Sequence, residues 1–372
     1  MVQALEGLLA MLQRIAPRAR ALAGEAEREG RLSAEMTDAL AQGGFYRLMA
    51  PQSLGGLELP FPEVLRVIEA ASAIDGALGW AVMIGAGGGP FAAFLDRDAA
   101  QALFGPAEAL VAGSGVPAGS AARVAGGYRV TGRWRYASGA SRANVFTANC
   151  IVTGDGEPHV RAMAFLPDEV SLLGGWDSAG LRGTDSQDFA VDDVFVPEAR
   201  SFSVMADAPR EAGPLYRFPF GALTGLSLAA VALGIAAGAV DEFARLAAGK
   251  SPPGSDAPLS RDHAAASAYA AARADIAMAR AGLRAEATAL WETVSGGYQP
   301  SGAALAHCSA LVSRLSTMLH RAVEDLSPHL GMSAIMADVP FARARRDLAA
   351  AVAHVALSPR QLGTAGLALL AG

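Results

Sequence analysis

The stretch RDLAAAVAHVALSP, residues 346–359, sets one imidazole among small apolar residues. On a continuous helix Asp347, Ala350, Ala351, His354 and Ser358 share a face, because spacings of three, four, seven and eleven residues return to nearly the same angle. His354 is the group on that face able to move a proton near neutral pH, and alanine neighbours leave room for a second reactant. The other five histidines offer no i, i+4 pair for a metal ion. Cys150 and Cys308 fit neither a metal spacing nor a disulfide framework and read as small buried residues. Lys250 is the one lysine, which disfavours Schiff-base chemistry. There is no Gly-x-Ser-x-Gly elbow. The run GAGGG at 85–89 follows an apolar helix rather than a strand, so it fails as a dinucleotide fingerprint and reads as a flexible wall of a cavity.

These residues need elements to position them. Of the 372 residues, those up to about Leu110 show a helical period, as in RALAGEAEREG and SAEMTDALAQGG. From Val111 the texture turns to short segments rich in β-branched and aromatic residues, separated by Gly, Asp or Pro, which predicts an antiparallel β region. After Pro214 long helices return, with candidates at Phe220–Ala248, Ser260–Gly296, Gly302–Leu326 and Pro340–Leu357. The expected architecture is α+β, with a helical domain at 1–110, a β domain at 111–205 and a helical bundle at 206–372.

The chain is 52% hydrophobic with a mean hydropathy of +0.28, but much of that excess is alanine. The most apolar stretch, Phe220 to Val240, carries Thr224, Ser227 and several glycines and reads as a buried helix rather than a membrane span. A net charge of −6 without a basic run argues against nucleic acid. The amino terminus has no signal-peptide pattern, so a cytoplasmic protein is expected.

Five segments in order carry a resemblance: APQSLGGLELPF (50–61), DGALGW (75–80), GGYRVTGRWRYASGASRA (126–143), WDSAGLRGTDSQDFAVDDVFVP (176–197) and PHLGMSAIMADVPFARARRDL (328–348). Together they resemble the acyl-CoA dehydrogenase superfamily. The resemblance implies that family's fold: an N-terminal helical domain, a middle antiparallel β-barrel or sandwich domain and a C-terminal four-helix bundle around a flavin. It also implies a homotetramer. In this register Ser138 and the amides of the turn at Gly139 are expected to donate to the flavin ring, with Trp134 as the wall over one face. Arg182, Thr184 and Ser186 are expected on the ribityl or phosphate side, with Ser114 and Gly331 as further cofactor contacts and Trp80 in the substrate cavity.

The dehydrogenases of this superfamily abstract a proton with a glutamate, often just after the Arg-Asp helix. Here Arg346-Asp347-Leu348 leads instead to Ala353-His354, and no acidic residue follows Asp347. A histidine at that place resembles the two-component flavin-dependent monooxygenases. The resemblance then implies reduced FMN or FAD supplied by a separate NAD(P)H flavin reductase, and O2 as co-substrate. It implies a flavin C4a-hydroperoxide that oxygenates an aromatic or other small organic substrate, with His354 and Ser138 as catalytic groups and His354 also touching substrate. Two alternatives stay open: an FAD-dependent acyl-CoA dehydrogenase with a non-standard base, and an inactive flavoprotein acting as a binding partner.

Overall fold

The structure is a computed structural model that describes every residue except 1, 155, 253, 255 and 372. Five helices come first: α1 (Val2–Glu29), α2 (Ala34–Gln42), α3 (Phe61–Ile74), α4 (Gly76–Gly88) and α5 (Arg97–Phe104). Their starts follow from local side chains. Ser33 caps α2 by accepting from the Met36 amide at 3.3 Å, and Asp75 caps α4 by accepting from Leu78 at 3.1 Å. Strands β1 (Val111–Val124), β2 (Gly127–Ala137), β3 (Val145–Thr153), β4 (His159–Phe165), β5 (Ser171–Gly174), β6 (Gln187–Pro197) and β7 (Ser201–Phe202) follow. The chain ends in α6 (Phe220–Gly249), α7 (His263–Ser295), α8 (Gly302–Leu330), α9 (Pro340–Val352) and α10 (Arg360–Leu370).

The strands form one sheet ordered β5-β6-β2-β1-β3-β4-β7. Every pairing is antiparallel except β1 with β3, so the sheet is mixed where pure antiparallel pairing was expected. The reason is the route of the chain. A hairpin at Ala125-Gly126 puts β2 on one side of β1, and the chain then turns through Ala140–Arg142 and enters β3 on the other side, in β1's own direction.

Two apolar cores result. The β core is closed by Trp134, Phe146, Phe165 and Phe189, while the larger helical core is built on α6, which packs against α3, α4, α7, α8 and α9. Gly76–Phe94 and Phe220–Gly249 are long and apolar enough to cross a membrane, but 72% and 83% of their most apolar windows are buried inside the protein. Both serve as core helices, as expected for the second.

The glycines at 85–89 do not loosen a wall. A Cβ on Gly85 would lie 2.2 Å from the Tyr46 ring and one on Gly88 would lie 2.5 Å from Val111, so these positions let α4 pack directly against its neighbours. The last helices also differ from expectation. Helix α8 runs on to Leu330, where the Lys250 ammonium donates to its terminal carbonyl and, at 3.0 Å, to Ser333. Helix α9 stops at Val352 rather than Leu357.

Candidate active site

His354 therefore does not share a helical face with Asp347. Ala353 ends α9, His354 is extended (φ −61°, ψ 138°), and its Nδ1 accepts from the Ala356 amide at 3.2 Å to cap a 3-10 turn, Val355–Leu357. That cap competes with continuation of the helix. Because Nδ1 accepts, the neutral ring carries its proton on Nε2 and presents a donor. Burial pushes the His354 imidazole below its ordinary value of 6.5, favouring this neutral form.

Asp347 has a different task. It is 4% exposed, and its Oδ1 accepts from the Leu181 amide at 2.6 Å, tying α9 to the loop before β6. Asp75 lies beside it with its side chain 6% exposed, and Arg343 Nε stands 3.6 Å from Asp75 Oδ2. Burial, reinforced by the neighbouring Asp75 carboxylate, pushes the Asp347 carboxyl up to about 7. The spacing of residues gave no hint of this buried pair; only the Arg-Asp signature marked one of its members.

The loop that Asp347 holds carries a chain of hydroxyls. The Leu181 carbonyl accepts from Thr184 Oγ1 at 2.7 Å and from Trp176 Nε1 at 3.0 Å. Thr184 Oγ1 lies 2.7 Å from Ser186 Oγ, which lies 2.7 Å from Ser138 Oγ, and Ser138 accepts from Trp80 Nε1 at 2.9 Å. Ser138, Thr184 and Ser186 are each no more than 6% exposed. The structure thus joins Trp80, Ser138, Thr184 and Ser186, which the sequence places on three segments.

Several expected cofactor contacts are engaged elsewhere. The Gly139 amide donates to the Thr184 carbonyl at 2.9 Å and the Ala140 amide to that of Asp185 at 3.2 Å, so the turn spends these donors on the loop before β6. Thr184 and Ser186 are likewise occupied by the chain, not aimed at a phosphate. Arg182 binds the Glu27 and Ser178 carbonyls and the Asp177 carboxylate. Ser114 sits at the irregular stretch of β1 and accepts from the Val116 amide at 3.4 Å; Gly331 lies just past α8 at φ +54°. Neither joins the hydroxyl chain.

Trp134 cannot cover a ring. It is 1% exposed, stacked 5.1 Å from Phe189 inside the β core, and its Nε1 donates to the Asn149 carbonyl at 3.0 Å. The aromatic left open is Tyr136. A register shift between Trp134 and Ala137 breaks strand alternation there, and Tyr136 adopts φ +66° and is 58% exposed. Its ring meets Trp176 edge-on at 5.9 Å. An open aromatic pair beside a buried hydroxyl chain fits a flat, hydrogen-bonding ring system such as a flavin. The alternation in WRYAS hid Tyr136, since strict pleating would turn it inward with Trp134.

A cavity of about 680 Å³ opens between the first turns of α6 and α8 and the segment that follows α4, with Phe94, Leu215, Phe220, Leu223 and Val312 among its mostly apolar walls. Its edge reaches Ala356, two residues beyond His354, while Trp80 lies outside it. Among the described residues, two charged side chains line it. Asp207 is neutralised by both Arg161 Nη atoms, at 3.2 and 3.0 Å, and by the Ser203 amide at 2.8 Å. Arg217 is exposed and has no charged partner among the described residues. Among the described residues the cavity therefore holds no free carboxylate to act as a base.

Residues 8–102 match the N-terminal domain of acyl-CoA dehydrogenase and residues 226–359 its C-terminal domain. Indole-3-acetate monooxygenase of Pseudomonas putida is 29% identical over 353 residues, covering 91% of this chain and 87% of the relative. The oxygenase subunit HsaA of a flavin-dependent monooxygenase from Mycobacterium tuberculosis is 30% identical over 243 residues, covering 63% of this chain and 62% of the relative. The crystal structure of 3-HSA hydroxylase from Rhodococcus sp. RHA1 is similar with a TM-score of 0.90 at 26% identity, covering 97% of each chain. With both matched domains flanking the mixed sheet, the chain belongs to the acyl-CoA dehydrogenase superfamily, among its flavin-dependent monooxygenase oxygenase components.

Proposed function

We propose that this protein binds FMN or FAD in reduced form, delivered by a separate NAD(P)H flavin reductase, and oxygenates an aromatic substrate held in the apolar cavity. Bound reduced flavin supplies the activation of O2. The chain supplies the surroundings: Tyr136 and Trp176 as an open aromatic face, Ser138 as a polar contact, and apolar walls that exclude water. His354 donates through Nε2–H to an oxygen on the reacting partners. The observation that carries this reading is the cavity whose edge reaches Ala356, two residues past His354, and which holds no unpaired carboxylate among the described residues, where an acyl-CoA dehydrogenase needs its base.

Arg217 supports an acidic substituent on the aromatic substrate, since it is the uncompensated charge on the wall. The names of the relatives agree in kind: one acts on indole-3-acetate, and another is called an oxygenase subunit, which implies a partner that supplies the reducing power. A homotetramer is supported by apolar side chains left open on α10, with Leu367 74% and Leu370 89% exposed. A cytoplasmic site, where NAD(P)H is at hand, accords with the reductase requirement.

The test is to mix protein and chemically reduced FMN or FAD with oxygenated buffer and follow flavin reoxidation by stopped flow, then screen aromatic acids for oxygenated product. Reoxidation slower than that of free flavin, with product, supports the proposal. Reoxidation at the free-flavin rate without product sinks it, and a 2-enoyl product from an acyl-CoA would establish the dehydrogenase instead.

A further inference from the structure

The hydroxyl chain has a direction fixed at its Leu181 end. At one end the Leu181 carbonyl can only accept, so the Thr184 proton is spent on it at 2.7 Å. Thr184 can then only accept from Ser186, and Ser186, its own proton spent, can only accept from Ser138. At the other end the indole Nε1 of Trp80 can only donate, and it donates to Ser138. All hydroxyl protons run from Ser138 toward Leu181. What Ser138 has left for a ligand is a lone pair.

We propose that the Ser138-Ser186-Thr184 chain makes this site selective for the redox state of its flavin. This rests on the flavin reading above. A ligand facing Ser138 must bring a donor. A reduced isoalloxazine carries a hydrogen on N5, whereas the oxidised ring has a bare nitrogen lone pair there and would meet the Ser138 oxygen acceptor to acceptor. For Ser138 to donate instead, all three hydroxyls must turn and the Leu181 carbonyl must give up the Thr184 hydroxyl, its shortest donor, keeping only the Thr184 amide at 3.1 Å and Trp176 at 3.0 Å, a penalty shared by groups no more than 6% exposed. Thr184 and Ser186 are thus positioning residues that act through Ser138. Asp347 and Trp176 fix the Leu181 peptide on which the direction depends.

The experiment is anaerobic titration of the protein with reduced and with oxidised FMN, and the same pair for FAD, in wild type and four variants. Wild type should bind reduced flavin the tighter by about tenfold or more, the scale of one hydrogen bond. Thr184→Val and Ser186→Ala free the Ser138 proton and should collapse that ratio toward one. Thr184→Ser keeps the terminal donor and should restore it. Trp80→Phe leaves the direction intact and should keep the preference. Melting curves check that each variant folds, and the two disrupting variants test the same link independently. A folded Thr184→Val or Ser186→Ala protein with the wild-type ratio overturns the proposal, as does a wild type that binds both redox forms equally. A wild type that binds neither form refutes the flavin reading itself.

Discussion

Replacing Asp347 by asparagine should stabilise the protein most above neutral pH and do little below about pH 4. The unfolded chain ionises Asp347 near 3.8, whereas the folded protein holds the carboxyl up to about 7 because it is buried beside Asp75. Between those values the folded state binds the additional proton. Stability from this group is therefore full at low pH, falls as the pH rises from about 4 to about 7, and is gone above that. At about 1.4 kcal/mol per tenfold in proton affinity, the span is worth about 4 kcal/mol at most.

Asparagine keeps an oxygen for the Leu181 amide, now accepted at 2.6 Å, and cannot ionise. With about 2 cal/mol/K of unfolding entropy per residue, relief of that penalty raises the melting temperature of the Asp347→Asn protein at pH 8 by roughly 5 °C. The gap should shrink to about 2 °C at pH 5, where the folded carboxyl is protonated but the unfolded one still ionises. Thermal melts across pH 5–8.5, without flavin, read both numbers. Asp347→Ala provides the contrast, lying about 1–3 kcal/mol below Asp347→Asn at every pH because the Leu181 amide is left buried and unpaired. If the asparagine variant is less stable than wild type by the same amount at pH 5 and pH 8, Asp347 is ionised in the fold and its charge serves Arg343. The reasoning above would then be wrong.

Other expectations follow from the same geometry. His354→Ala should slow product formation by about 10- to 100-fold while His354→Gln, which retains a donor, recovers part of it; equal rates in all three would remove His354 from the chemistry. Because burial lowers the His354 pKa, product formation should hold from neutral pH down through 6.5 and fail only below it, so a pH profile that falls with a midpoint at or above 6.5 contradicts the assignment. Arg217→Gln should weaken binding of aromatic acids by about 3- to 10-fold and leave their neutral amides unaffected, as equilibrium binding would show. Trp134→Ala should cost about 3–5 kcal/mol of stability, whereas Tyr136→Ala should change melting little and weaken flavin binding; the reverse pattern would return Trp134 to the cofactor.

How far the sequence reaches is clearest at Trp134 and Tyr136. Composition and turn residues mark this stretch as strand, and the motif places a polar flavin contact just after it. Pleating then assigns both aromatics to one face, and the larger was the natural choice for the ring wall. The shift in register that separates them is a property of how β2 pairs with β6, two strands some fifty residues apart, and neither strand alone encodes it visibly.

His354 shows the same limit in a helix. Alanine-rich residues keep the period of α9 running past the point where the histidine side chain captures a backbone amide, and a local bond of that kind leaves no mark on periodicity. The segment with Thr184 and Ser186 was legible as important because it resembles a strand motif of the superfamily. Their task was not legible, because hydroxyls can donate or accept and only their neighbours decide. Leu181, an apolar residue held at φ +53° by Asp347 from α9, provides the carbonyl that decides it. Residue types thus mark where chemistry sits in this chain. The direction of each proton comes from backbone groups whose owners carry no chemical signal at all.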